Sequence, residues 1–343
     1  MSSPRPSLAP VRGTSAEVLE LLRTWEAAQD PPPLVVETSG STGRPKRVVL
    51  SRAAMRASAD ATHERLGGPG RWVLALPAGY VAGLQVLFRS VRTGIEPVLG
   101  GLPEAAEQPT GDRRYVSVVP TMLHRALTGD RQALTRFDTV LVGGARLDPE
   151  LRRRAEEAGV RVVATYGMSE TCGGCVYDGR PLHAVEVRTT DAGRVAIRGP
   201  VLFDGYDGQP DLTAQALSDG WFLTSDVGRV DEDGRLRVDG RIDDVVVSGG
   251  VNVPAAAVAR ELRAHPGVRG AEVVGVPDDE WGEVVVAVAE TELTLEQLRD
   301  RVAERLPRSF APRRLVRVSA LPLLPNGKLD RLAVQRLAAG SPP

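Results

Sequence analysis
The sequence predicts an α/β protein, with a large N-terminal domain of parallel βα units plus antiparallel hairpins and a small α+β C-terminal domain. Three observations predict it. Over the first half, short apolar runs alternate with helix-length stretches, a pattern that needs parallel strands covered on both faces. From about His183 the texture changes to short strands separated by Gly, Asp and Pro turns, which read as antiparallel hairpins. The length of 343 residues, at about 150 per domain, sets an expectation of two domains.

In chain order, a helix over 16–28 is broken by Pro31, Pro32 and Pro33, and LVVE at 34–37 reads as a short buried strand. Strands are then expected at 73–76, 95–99, 115–119, 139–142 and 161–164, with helices at 52–66, 83–91, 122–127 and 149–158 between them. AVEVRTTDAGRVAIRG and GRVDEDGRLRVDG form the hairpins. The last section opens near Ile242, with helices at 255–264 and 295–306, strands at 271–276 and 284–289, and a final helix from Asp330. Domains 1–241 and 242–343 are therefore expected.

Composition excludes several classes. Lys+Arg 43 against Asp+Glu 44 leaves a net charge of −1, and aromatics are 4%, so neither a nucleic-acid interface nor an anionic surface is favoured. No apolar run approaches the ~18 residues of a membrane span. MSSPRPSLAPVRG has no apolar core, so no signal peptide is expected, and with two cysteines a cytoplasmic protein without a disulfide framework is the default. A homo-oligomer remains compatible with the sequence.

Only two of the 43 basic residues are lysines, Lys46 and Lys328, leaving 41 arginines. A bias toward arginine this strong points to lysine surviving where a compact ammonium is required and a planar guanidinium is not a substitute. Lys46 closes TSGSTGRPK, in which Thr38, Ser39, Gly40, Ser41, Thr42 and Gly43 directly follow a strand. Glycines let backbone N–H groups approach closely, hydroxyls add donors and the lysine adds a point charge, a combination that suits a polyphosphate. A polar surface turn is the bland alternative. A P-loop does not fit, because the spacing from Gly40 would require Gly at Pro45 and Ser or Thr at Arg47.

TSGSTGRPK resembles the phosphate loop of the acyl-adenylate-forming superfamily, which contains acyl-CoA ligases, adenylation domains and luciferases. The family's further motifs follow in order as GGA at 143–145, YGMSET at 166–171, SDVG at 225–228, GRIDD at 240–244, SGGVNVPAAAV, and PNGK ending at Lys328. The resemblance implies ATP, CoA and Mg²⁺. It places adenine and ribose on Gly143, Gly144, Ala145, Tyr166, Gly167, Asp226 and Arg241, and Mg²⁺ on Glu170. Lys328 would be the catalytic lysine, with Glu170 as its partner in catalysis. Asp243 would be the hinge about which 242–343 rotates as a mobile lid, and Ser248, Gly249 and Gly250 would line a CoA tunnel.

In such enzymes the phosphate loop lies well over a hundred residues into the chain, so its start at Thr38 implies a shortened N-terminal region. This feature, with LPAGYVAGLQVL and TCGGCVYDG, is similar to short actinobacterial-type o-succinylbenzoate–CoA ligases of menaquinone biosynthesis. It implies o-succinylbenzoate as the small-molecule carboxylic acid and an acyl pocket of Tyr80, Gly83, Leu84, Met168 and Thr171. Relatives generally carry histidine where Tyr80 stands. Arg89, Arg92, Arg125 and Arg146 are candidates for the substrate's second carboxylate, though each reads first as a solvated surface residue. Cys172 and Cys175 read as small packing residues, since neither a zinc ligand set nor a thioredoxin-like context accompanies them. The alternatives are another aryl- or acyl-CoA ligase, an adenylation enzyme loading a carrier protein, and a non-catalytic nucleotide-binding regulator.

Overall fold
A computed structural model of the protein describes residues 8–38, 46–100, 102, 111, 113–129, 131–324 and 327–340. Strand β1 (Ala9–Pro10) leads into helix α1 (Ser15–Ala27). A capping box starts the helix: the Thr14 hydroxyl accepts from the Glu17 N–H, and the Glu17 carboxylate accepts from the Thr14 N–H. The prolines end it, and β2 (Leu34–Glu37) pairs antiparallel with β3 (Arg47–Leu50). Sequence reasoning missed β3. The hairpin lies in a small four-stranded sheet outside the parallel one.

Next come α2 (Arg52–Leu66), β4 (Arg71–Leu74), α3 (Val81–Thr93), β5 (Val98–Leu99), β6 (Arg114–Val118), α4 (Pro120–Thr128), β7 (Thr139–Val142), α5 (Pro149–Glu157) and β8 (Val162–Met168). Strands β5, β4, β6, β7 and β8 are parallel neighbours in that spatial order. The antiparallel β9 (Gly173–Tyr177) and β10 (Arg180–Pro181) extend the edge beside β8. Alternation explains why the interiors of these strands are apolar on both faces. Trp72, Leu74, Tyr115 and Leu141 enter the core shared with α1–α3, while Val73, Val116, Val118, Val140 and Val142 enter the core under α4 and α5. Each such burial contributes about 1.5–3 kcal/mol, so a polar residue on either face would be costly.

The expected hairpins are present as β11 (Glu186–Thr189) with β12 (Arg194–Arg198), and as β15 (Trp221–Val230) with β16 (Leu236–Arg241). Between them, β13 (Gly205–Tyr206) turns back to pair with β3. It is followed by α6 (Pro210–Ala216) and β14 (Leu217–Ser218).

The C-terminal lobe contains β17 (Val245–Ser248), β18 (Val251–Pro254), α7 (Ala255–Arg263), β19 (Val268–Asp278), β20 (Gly282–Thr291), α8 (Leu295–Ala303), β21 (Arg314–Arg317) and α9 (Arg331–Ala338). Val285, Ala287 and Ala289 of β20 face α7 and α8, and Val284, Val286 and Val288 face α9, so this lobe has its own two-sided core. Among the described residues no helix is long and apolar enough to cross a membrane.

Candidate functional site
The parallel strands β6, β7 and β8 end together, and the crevice beyond the carboxyl ends of such strands is where α/β sheets bind ligands. Gly143, Gly144 and Ala145 follow β7, and Glu170 sits in the 3₁₀ turn Ser169–Thr171 that follows β8. Thr171 fixes that turn: its fully buried hydroxyl accepts from the Met168 N–H at 2.9 Å and donates to the Gly173 carbonyl at 2.7 Å. The YGMSET segment is thus the end of a strand and its exit, where a strand was expected only over 161–164.

Tyr166 and Asp226 meet across the cleft, with the Tyr166 hydroxyl donating to Asp226 Oδ2 at 2.7 Å. The β15–β16 register places Asp226 opposite Arg241, and the Asp226 N–H is held by the Thr224 hydroxyl at 3.0 Å. Burial, with the Asp226 charge beside it, pushes the Tyr166 phenol up, so it remains a donor.

The β2–β3 hairpin brings Thr38 and Lys46, the described residues at either end of the hydroxyl-rich segment, to the same side. Its neck closes through the Thr38 N–H to the Lys46 carbonyl at 2.9 Å and the Lys46 N–H to the Thr38 hydroxyl at 3.2 Å. Ser39, Gly40, Ser41, Thr42 and Gly43 lie outside the described residues. The Lys46 ammonium stands 5.1 Å from the centroid of the Tyr206 ring, and the Tyr206 hydroxyl donates to Glu170 Oε1 at 2.8 Å.

The small lobe delivers Lys328 into this cleft on a turn closed by the Leu324 N–H to the Lys328 carbonyl at 2.7 Å and by the Leu323–Leu329 bridge. The Thr121 hydroxyl of the large lobe donates to the Gly327 carbonyl at 3.2 Å. The approach depends on missing side chains. A Cβ on Gly327 would come within 2.9 Å of Val119, and one on Gly144 within 2.8 Å of the Lys328 stem. Lys328 is open to solvent as a residue, yet desolvation of its ammonium lowers the pKa from the ordinary lysine value, opposed by attraction to Glu170. Behind it, Arg331 grips Asp244 with two bonds of 2.6 Å, tying the start of α9 to the 3₁₀ turn Ile242–Asp244. The Asp243 side chain lies outside the described residues.

Other expected positions fall around this centre. Tyr80 caps α3 and is half-buried, and Met168 is half-buried at the end of β8. Leu84 is fully buried in the main core and Gly83 packs against the Pro77 carbonyl, so these two lie within the packing beneath α3. Arg89 corrects the expectation of a solvated arginine. It is 3% exposed, with its guanidinium 4.7 Å from the Trp72 ring centroid, and burial lowers its pKa, opposed by the nearby Tyr177. Its planar head stacks where an ammonium would not. Arg92 pairs with Asp60 and Glu26, while Arg125 and Arg146 are exposed.

Cys172 and Cys175 are buried in the main core, where burial pushes the Cys175 thiol up to about 12 and the Cys172 thiol higher still. Ser248, Gly249 and Gly250 lie together at the β17–β18 turn of the small lobe, with Gly249 against Trp281. Sequence reasoning missed Tyr206, Thr121, Arg331 and Trp281. Only Arg331, three residues past Lys328, stands near a motif that would draw attention to it.

A lysine carried by one lobe, facing a carboxylate, a glycine turn and a tyrosine–aspartate pair on the other, defines a two-lobed enzyme class with its ligand cleft at the lobe junction. The AMP-binding enzyme family matches residues 24–206, and the AMP-binding enzyme C-terminal domain matches residues 258–328. The chain belongs to the AMP-binding enzyme family. It is 43% identical over 355 aligned residues to a probable 2-succinylbenzoate–CoA ligase of Mycobacterium tuberculosis, covering 98% of this chain and 92% of that one. The o-succinylbenzoate CoA synthetase from Bacillus subtilis, in complex with the acyl-adenylate intermediate OSB-AMP, matches with a TM-score of 0.78 and 29% identity over 88% of this chain and 68% of that one. The same Bacillus enzyme in complex with ATP and a magnesium ion matches with a TM-score of 0.77 and 28% identity, over 87% and 69% of the two chains.

Proposed function
We propose that this chain is an AMP-forming acid–thiol ligase that activates o-succinylbenzoate with ATP and transfers the acyl group to CoA, a step of menaquinone biosynthesis. The observation that carries the chemistry is the convergence of Lys328 and Glu170 from opposite lobes on one cleft. In the first half-reaction a carboxylate oxygen attacks the α-phosphorus of ATP, and pyrophosphate leaves. All participants are anionic, so the barrier is largely electrostatic. Lys328 is assigned to the attacking carboxylate and α-phosphate, where one preorganised donor contributes about 10²–10³ in rate. Lys46 and the hydroxyl-rich turn are assigned to the phosphates, and Tyr166, Asp226, Arg241 and residues 143–145 to the nucleoside.

Glu170 fits a hard cation held mainly by phosphate. It is an acceptor-only carboxylate, and among the described residues no group of three or more His, Cys, Asp or Glu side chains accompanies it to form an all-protein cage. When bound, Mg²⁺ supplies charge neutralisation on the triphosphate. In the second half-reaction the CoA sulfur attacks the acyl carbonyl and AMP leaves. We assign this step to a rotated small lobe spanning 242–343, with Asp243 as pivot and Ser248, Gly249 and Gly250 at the thiol path. The separate cores of the two lobes support that division. A cytoplasmic setting, where ATP and CoA are both available, completes the reading.

Substrate choice rests on the identity to 2-succinylbenzoate–CoA ligases. ATP–pyrophosphate exchange over a panel of acids tests it: o-succinylbenzoate is expected to support the fastest exchange. Exchange with benzoate or a fatty acid and none with o-succinylbenzoate would overturn the substrate, and ATP binding without exchange for any acid would favour a regulator.

A further inference from the structure
We propose that Tyr206 is a positioning residue that sets the Glu170 carboxylate and the Lys46 ammonium for a metal–nucleotide complex. This rests on the assignments of Glu170 and Lys46 above. Tyr206 stands 36 residues beyond Glu170 and far from every motif, yet its hydroxyl donates to Glu170 Oε1 at 2.8 Å and its ring lies 5.1 Å from the Lys46 ammonium. One rigid side chain therefore touches both of the charged groups assigned to the phosphate end of the cleft.

The surrounding backbone makes it rigid. The Phe203 N–H bonds to the Glu170 carbonyl at 2.9 Å, and β13 pairs with β3 at Val48 and Val49. Beyond Tyr206, the Asp207 N–H bonds to the Arg47 carbonyl at 2.8 Å, and Asp207 pairs with the Arg47 side chain at 2.6 Å. The Tyr206 ring is 6% exposed and packs edge-on against Phe203 at 4.9 Å. Burial and the Glu170 charge push the phenol up, so the hydroxyl stays a neutral donor at working pH. A neutral donor on one carboxylate oxygen fixes the rotamer and leaves the other oxygen for a cation. The ring face meanwhile attracts Lys46, a contribution distinct from the hydroxyl.

The two contacts separate by substitution. Tyr206→Phe removes the hydroxyl and keeps the ring, whereas Tyr206→Leu removes both. Calorimetric titration of ATP without any acid, over a range of Mg²⁺ concentrations, reads binding apart from turnover. Tyr206→Phe is expected to raise the Mg²⁺ concentration for half-maximal ATP binding about tenfold, the usual scale for losing a partner behind a metal ligand. Its ATP affinity at saturating Mg²⁺ is expected to match wild type. Tyr206→Leu is expected to weaken ATP at saturating Mg²⁺ as well, by roughly two- to fivefold.

Glu170→Gln is run alongside. If it leaves the Mg²⁺ dependence unchanged, the assignment of Glu170 fails. If it raises the Mg²⁺ requirement and Tyr206→Phe does not, the positioning role alone is overturned. A Tyr206→Phe protein that only melts at lower temperature, with its Mg²⁺ midpoint unmoved, also overturns that role.

Discussion
Lys328 carries its charge in a place that disfavours it. Desolvation lowers its pKa below the ordinary lysine value of about 10.4, and Glu170 offsets part of that. The charged form is present below that lowered value and is lost as pH rises through it. ATP–pyrophosphate exchange is therefore expected to fall on the alkaline side at a pH below that of a free lysine. The residual exchange of Lys328→Arg, whose guanidinium does not titrate there, is expected to lack this limb. An unchanged limb in the arginine variant would mean that another group titrates. Lys46 and Lys328 were legible because lysine is scarce in this chain. Tyr206 was not, because its contacts with Glu170 and Lys46 come from the pairing of β13 with β3, a long-range register that no local spacing encodes.

Helices and buried strands were read well where one physical cause dominates. Helix α2 occupies 52–66 as expected, bounded by the Ser51 cap and by Gly67 in the left-handed region. The parallel strands read as apolar because both faces are covered. Strands β3, β17, β18 and β21 were missed, since they are four residues long and partly exposed. Arg89 misled because its charge says surface, while the stacking that buries it against Trp72 is set by tertiary packing. The Arg331–Asp244 pair makes a prediction at this scale. It couples the segment after Lys328 to the turn after β16 through a two-pronged contact that is partly buried on the Asp244 side. Arg331→Ala is expected to lower the exchange rate about tenfold, through a less populated position of Lys328, with the KM for ATP nearly unchanged. A variant that raises KM and spares kcat would show that the pair serves nucleotide binding instead.

Across the whole molecule, two lobes with separate cores meet at a junction where Gly144 and Gly327 let Lys328 and Val119 approach closely. The section opening near Ile242 and the motif order made this organisation legible; the close seat of Gly327 on Val119 and of Lys328 beside Gly144 was not. If the lobes divide the work, substitutions on different faces of the small lobe separate the half-reactions. Gly249 has φ +57°, and a Cβ there would lie 2.6 Å from the Trp281 ring, itself stacked under Arg313 at 3.4 Å. Gly249→Leu is therefore expected to retain exchange and to lose CoA transfer, read as acyl-CoA formed from supplied acyl-AMP. Normal CoA turnover in that variant would remove the 248–250 turn from the thiol path.

The complementary variant bears on the central claim, that Lys328 acts in adenylation from a lobe that later turns away. Both half-reactions are measured in Lys328→Ala: pyrophosphate exchange with o-succinylbenzoate, and thioester formation from preformed acyl-AMP and CoA. The account predicts exchange reduced at least about 10²–10³-fold with thioester formation within a few-fold of wild type. An equal fall in both steps would contradict it.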